Sequence, residues 1–150
     1  MKTFLSLLLV VFTFLGIFDA AYISYEKLSG NIPPCNMYFK CDVVLNSSWS
    51  SVGPIPLATL GLLFYSLFFL TSILFFLGKD TVHVLHYQVQ TKTVLAFLGA
   101  FGAMFSLYLL FVMGILLKAW CLYCLLSACT CLILFIISAV VYLLGKKEKL

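Results

Sequence analysis

Cys121 and Cys124 stand three residues apart in Trp120-Cys121-Leu122-Tyr123-Cys124, where one long apolar stretch ends and the next begins. A second pair, Cys35 and Cys41, lies in a polar loop far upstream. A Cys-x-x-Cys motif by itself serves metal sites and redox proteins alike. Two dithiol pairs in a chain that is 64% hydrophobic point to electron transfer at a membrane surface. Cys121 and Cys124 are expected to open a helix, whose N-terminal partial positive charge lowers a nearby thiol pKa and favours the thiolate. The thiolate is the species that attacks a disulfide. Either pair is close enough in sequence to close a disulfide. The plainer alternatives are a four-thiolate zinc site and a pair of purely structural disulfides. A structural zinc explains neither a mobile loop nor the apolar bundle beneath it. Cys129 and Cys131 fall inside an apolar stretch and read as packing residues, since a membrane-buried thiol behaves as a small hydrophobe. Cys131 shares a helix face with Cys124 but lies about 10 Å deeper.

The elements that must position these thiols follow from composition. Of 150 residues only 9% are charged, against roughly 25% in soluble domains. Four apolar stretches approach the roughly 20 residues that a membrane-spanning helix needs. They run from about Thr3 to Ala21, from Pro56 to Leu77, from Thr93 to Leu117 and from about Cys121 to Leu144. The last three carry no charge on any face, which a surface helix of a soluble core would. The expectation is an all-α, four-helix membrane bundle, one membrane domain over 1–150, with an outer loop of about 22–55. The first stretch, with Lys2 ahead of it and Ala20-Ala21 behind, has a rival reading as a cleaved signal peptide. Three remaining helices would enclose a cofactor poorly.

Counting crossings puts both cysteine pairs on one side of the bilayer, whichever way the chain inserts. Lys2, Lys79, Lys92, Lys146, Lys147 and Lys149 fall on the other side, while Lys27, Lys40 and Lys118 share the cysteine side. The lysine-rich side belongs in the cytoplasm, so the cysteines are expected to face outward, where disulfides persist. The net charge of +4 reflects this orientation and does not indicate nucleic-acid binding.

In the outer loop, Pro33-Pro34 stiffen the chain ahead of Cys35. Val43, Val44, Leu45 and Trp49 suit a short helix lying apolar side down in the interface, and the loop reads as a partly mobile lid. His83 and His86, in the short inner loop, sit at helical spacing but have no third ligand nearby, so no metal site is expected. Gly99/Ala103 and Gly102/Ser106 are small-xxx-small pairs for close helix approach. Asp19 is the one ionisable residue near the core and reads as peripheral.

These residues together resemble the vitamin K epoxide reductase family. The resemblance rests on four spans, Cys35, the run Cys41-Asp42-Val43-Val44-Leu45-Asn46-Ser47-Ser48-Trp49, the run Ile55-Pro56-Leu57-Ala58-Thr59-Leu60-Gly61, and Trp120-Cys121-Leu122-Tyr123-Cys124. It covers nearly the whole chain and looks closest to the microbial branch, which oxidises protein thiols with a quinone. Many such members carry a fused thioredoxin-like domain. This chain stops after its fourth span, so a thioredoxin-fold, DsbA-like partner is expected to be a separate protein. The resemblance implies a bacterial or archaeal cytoplasmic membrane and ubiquinone or menaquinone as cofactor.

The resemblance also implies roles. A reduced partner attacks the Cys35–Cys41 disulfide at Cys35. Freed Cys41 attacks the Cys121–Cys124 disulfide at Cys121, and Cys124 is left facing the quinone. Ser47 matches the family serine near the quinone; a loop-capping hydroxyl is its plainer role. Leu60, Phe64 and Tyr65 are candidates for the apolar pocket, with ordinary helix packing as the alternative. Where vitamin-K-reducing animal members place an asparagine and a tyrosine against the naphthoquinone, this chain has Leu57 and Ala128, which favours quinone reduction over epoxide reduction. A partner as oxidising as DsbA, at about −120 mV, requires a stronger oxidant, and a membrane quinone qualifies. The DsbB-type oxidases do the same chemistry but carry their quinone-proximal Cys-x-x-Cys ahead of the shuttle pair. A non-enzymatic tetraspan subunit or a transporter is the rival from another class; transport would call for ionisable residues inside the membrane.

Overall fold

A computed structural model describes residues 2–31, 33–35, 38–84 and 87–147. His86 and Lys149 lie outside the described residues, as do the side chains of Lys2 and His83. Helix α1 (Lys2–Leu28) leads to a lid formed by helix α2 (Cys41–Leu45), a 3-10 turn (Ser48–Ser50) and a two-residue ribbon of β1 (Ser51–Val52) and β2 (Ile55–Pro56). Helix α3 (Leu57–Phe76) returns through the bilayer to an antiparallel hairpin of β3 (Thr81–Val84) and β4 (Tyr87–Gln90). Helix α4 (Thr91–Phe111) runs into a π-helical turn (Val112–Leu117), and α5 (Leu122–Lys147) completes the chain. Four helices are long and apolar enough to cross a membrane: Thr3–Leu28, Leu57–Phe76, Thr91–Leu117 and Leu122–Lys147. The chain is an integral membrane protein built as a four-helix bundle.

The four long helices form a ring in which α1 packs on α3 and α5, and α4 packs on α5. The ring closes where α3 meets α4, the thinnest of the four contacts. Its deep core holds Leu9, Tyr65, Phe68, Leu95, Leu134 and Val141. Large side chains outside the ring are bare, among them Phe18 at 64% and Met104 at 67% exposed, as a lipid-facing surface requires. Several hydroxyls inside the spans are satisfied along their own helices: Thr13 donates to the Leu9 carbonyl (2.7 Å), Ser72 to Phe68 (2.8 Å) and Ser138 to Leu134 (2.7 Å). Lipid offers a polar group no other partner. Close approach uses small residues as expected. A side chain at Gly99 would meet the Phe135 backbone and Ser138, and one at Gly102 would meet the Phe64 ring. At Gly16 it would run into the Tyr65 ring.

Two local features depart from the sequence reading. First, α1 does not stop at Ala21 but continues to Leu28. No breaker precedes Gly30, whose φ of 73° closes the helix. The Asn31 N–H donates to the Glu26 carbonyl (3.0 Å) and the Gly30 N–H to Lys27 (3.3 Å), the pairing of a Schellman motif. Second, the inner loop carries two antiparallel strands, where the sequence reading expected only a short loop. Thr81, Val82, Val84, Tyr87 and Val89 supply the β-branched and aromatic content that favours strands. The Thr91 hydroxyl donates to the Lys79 carbonyl (2.6 Å) and fastens the hairpin to the start of α4.

Candidate functional site

The two cysteine pairs, 80 and more residues apart in sequence, meet beneath the lid. Cys41 and Cys121 are both buried in one apolar cluster with Ile23, Val44, Leu45, Met113 and Ala119, and Cys35 and Cys124 pack against it. Two hydrogen bonds set the register. The Lys40 N–H donates to the Trp120 carbonyl (3.0 Å), which holds the residues just before Cys41 and Cys121 side by side. The Tyr123 hydroxyl donates to the Pro34 carbonyl (3.3 Å), which ties the residue before Cys35 to the first turn of α5. Cys35 and Cys41 form a disulfide with their Cα atoms 6.1 Å apart, whereas Cys121 and Cys124 are free thiols. The loop expected to be a partly mobile lid is thus hydrogen-bonded to the Cys121/Cys124 segment at both ends of its disulfide. Its helix α2 lies apolar side down through Val44 and Leu45, while Val43 and Trp49 remain 41% and 50% exposed.

Local backbone geometry aims the Cys-x-x-Cys motif. After the π turn, Lys118 adopts the left-handed conformation (φ 47°, ψ 35°), and the Ala119 N–H reaches back to the Met113 carbonyl (3.2 Å). The chain thereby reverses within three residues and Trp120 folds over Gly114. Left-handed backbone costs a non-glycine residue roughly 1–2 kcal/mol. Lys118→Gly should therefore raise stability by about 1 kcal/mol, measured as a higher midpoint of thermal unfolding in detergent; an unchanged or lower midpoint would show that the Lys118 side chain matters more than its backbone.

Cys121 sits immediately before α5, and the Leu125 N–H donates to its carbonyl (3.0 Å). Its sulfur receives the Cys124 thiol and the backbone N–H groups of Cys124 and Tyr123. These draw its pKa down to about 7, against burial, which acts the other way. A thiol with a pKa near ambient pH is the best-tuned attacking group.

Below the cysteines the bundle encloses a cavity of about 620 Å³, within the range of small-molecule sites. Cys124 lines it; Cys35, Cys41 and Cys121 do not. Ser47, Leu60, Phe64 and Tyr65 all lie on its wall, as do Leu57 and Ala128. The Ser47 hydroxyl donates to the Val44 carbonyl (2.7 Å), so it caps α2 while its oxygen keeps an acceptor site on the cavity. The Tyr65 hydroxyl is committed to α5, bonding the Ser127 carbonyl and hydroxyl (both 2.9 Å) and the Cys131 sulfur (3.1 Å). Tyr65 therefore lends the cavity its ring and braces α3 against α5.

Three residues read differently in place. Asp19 is not peripheral: it lines the cavity, because the face of α1 that carries Gly16 and Ala20 turns inward. Cys131 is more than packing, since it bonds Tyr65 and lines the cavity, while Cys129 is exposed on the lipid side. Lys27, which the sequence reading used only to orient the chain, fastens the lid by donating to the Leu45 carbonyl (2.6 Å) and to Ser50. Its sequence signal was a cation placed after a span on the side of the cysteines.

The geometry therefore joins the lid disulfide, the Cys121/Cys124 dithiol and an apolar chamber in that order. The model of the vitamin K epoxide reductase family matches residues 7–139, a stretch that contains all of these residues. No curated protein matches the chain.

Proposed function

We propose that this chain, which belongs to the vitamin K epoxide reductase family and so is a membrane thiol–disulfide oxidoreductase, forms disulfides in a separate thioredoxin-fold protein and passes the electrons to a membrane quinone. The observation that carries the reading is the meeting of both cysteine pairs in one cluster, with Cys41 and Cys121 buried in it and Cys124 the one member of the pairs that lines the cavity. The reading follows the microbial branch, in a bacterial or archaeal cytoplasmic membrane with the cysteines outward.

The cavity fits a quinone. Its wall is almost wholly apolar and rich in aromatic rings (Phe64, Phe97, Phe101 and Phe105), with few polar atoms. The thin α3–α4 contact, lined by half-exposed Leu63, Leu67 and Phe101, supports access from the lipid for an apolar tail. Leu57 and Ala128 offer no hydrogen bond from their side chains, which supports quinone over epoxide as the group reduced. A bound quinone supplies a two-electron, two-proton acceptor.

The residues act in sequence. A partner thiolate attacks Cys35, breaking the Cys35–Cys41 bond and releasing Cys41. Resolution within the partner frees Cys35 and leaves the partner oxidised. Cys41 then attacks Cys121, breaking the Cys121–Cys124 bond, and Cys35 displaces Cys121 to restore the lid disulfide. Cys121, with its lowered pKa, is the thiolate ready to close on Cys124 as the electron pair departs through Cys124.

The test is purified protein with a quinone and a reduced thioredoxin-like partner, followed by quinone absorbance. Stoichiometric quinone reduction and partner oxidation are expected. No reaction across several quinones and partners would defeat the proposal.

A further inference from the structure

The quinone chemistry needs two protons as well as two electrons, and the cavity holds a group placed to handle them. Resting on the quinone reading, we propose that Asp19 is the proton-transfer residue of the cavity: its carboxyl hands a proton to the quinone oxygen while Cys124 supplies the electrons.

Four observations carry this. Asp19 lines the cavity, on a wall it shares with Cys124. One carboxyl oxygen, Oδ2, is buried with no hydrogen-bond partner among the described residues. Ser24 and Thr59 also hold unpartnered buried hydroxyls, but neither lines the cavity. Depth matches as well. The Tyr22 and Tyr123 rings meet with centroids 5.5 Å apart, which levels α1 against α5. Asp19, one turn deeper than Tyr22, then comes level with the first turns of α5, where Cys124 and Ser127 stand.

The other titratable groups on the wall are committed. Lys27 of α1 bonds the lid at Leu45 and Ser50. Tyr65 of α3 and Cys131 of α5 bond each other, and Tyr65 also bonds Ser127. Cys124 of α5 is the electron donor, and α4 contributes no titratable side chain to the wall. A buried oxygen without a partner is costly and calls for an explanation. A quinone oxygen only accepts hydrogen bonds, so it matches the protonated carboxyl. A hydroquinone hydroxyl donates, so it matches the carboxylate. One side chain in two protonation states therefore complements both substrate and product. The balance closes: the Cys121/Cys124 dithiol loses two electrons and two protons in forming its disulfide, the quinone gains both, and Asp19 recovers from the dithiol the proton it has delivered.

The test compares wild type, Asp19→Asn and Asp19→Glu in the full-length protein. Quinone binding is read by quenching of Trp49 fluorescence at the cavity wall, and the redox state of Cys121 and Cys124 by thiol alkylation during turnover. Asp19→Asn keeps shape and hydrogen bonding but cannot exchange a proton. It should bind quinone within about threefold of wild type, lower kcat roughly 10²-fold, the scale of general acid catalysis, and accumulate the Cys121/Cys124 pair as thiols. Asp19→Glu should recover much of kcat, and it carries the comparison if the asparagine variant does not fold. Wild-type turnover by Asp19→Asn would overturn the proposal, as would loss of quinone binding in step with rate, or failure of Asp19→Glu to turn over despite normal binding. Inactivity of the wild type would instead refute the quinone reading itself.

Discussion

Alanine at Cys124 should leave a protein that still exchanges thiols at its lid but delivers no electrons to quinone. Cys124 is the one member of the two pairs on the cavity wall, and the other sulfur there, Cys131, is bonded to Tyr65 and belongs to neither pair, so in the proposed relay no sulfur replaces Cys124. Quinone reduction should fall to the uncatalysed background, while a reduced partner still opens the Cys35–Cys41 disulfide once per chain. The expected stability loss is about 1 kcal/mol, ordinary for a small truncation, which separates a chemical defect from a folding one. Cys129→Ala is the matched control: its thiol faces lipid, and turnover should remain near wild type. Substantial quinone reduction by Cys124→Ala would remove this thiol from the electron path.

The second large effect is a trap at the lid. With Cys41→Ala, Cys35 keeps its thiol and can displace the cap from a partner that retains one cysteine, presented as its thionitrobenzoate mixed disulfide. Neither Cys41 nor a second partner thiol remains to resolve the product, so a Cys35–partner disulfide should persist on a non-reducing gel, and with the intact partner quinone reduction should cease. The adduct should vanish in the Cys35→Ala, Cys41→Ala double variant. An adduct that survives there, or one that maps to Cys121 or Cys124, would place the partner's point of attack elsewhere. Because Cys41 is buried and Cys35 only partly so, the partner should reach Cys35 first.

The bundle was legible because three stretches of more than 20 residues carry no charge at all, and a bilayer tolerates little else. The end of α1 was not: Tyr25, Glu26 and Lys27 look like a loop by polarity, yet nothing breaks the helix before Gly30. The inner hairpin was legible in its β-branched residues, but histidine spacing drew attention away from them. The Lys118 reversal was hidden, because a left-handed lysine and a π turn arise from docking against the lid and not from local preference. In the candidate site, type and spacing supplied the cysteines, and the resemblance supplied their order and four wall residues. Asp19 was misjudged because distance along a helix does not say which face turns inward; the packing of Gly16 against Tyr65 decides that.

The backbone bond from Lys40 to Trp120 also bears on kinetic order. Fastened side by side, Cys41 and Cys121 react as parts of one molecule, where well-oriented groups reach effective molarities of roughly 10⁵ M or more. Dilution should then slow only the encounter with the partner. The passage of reducing equivalents from lid to chamber should proceed at the same first-order rate in a crowded membrane and in a single isolated micelle.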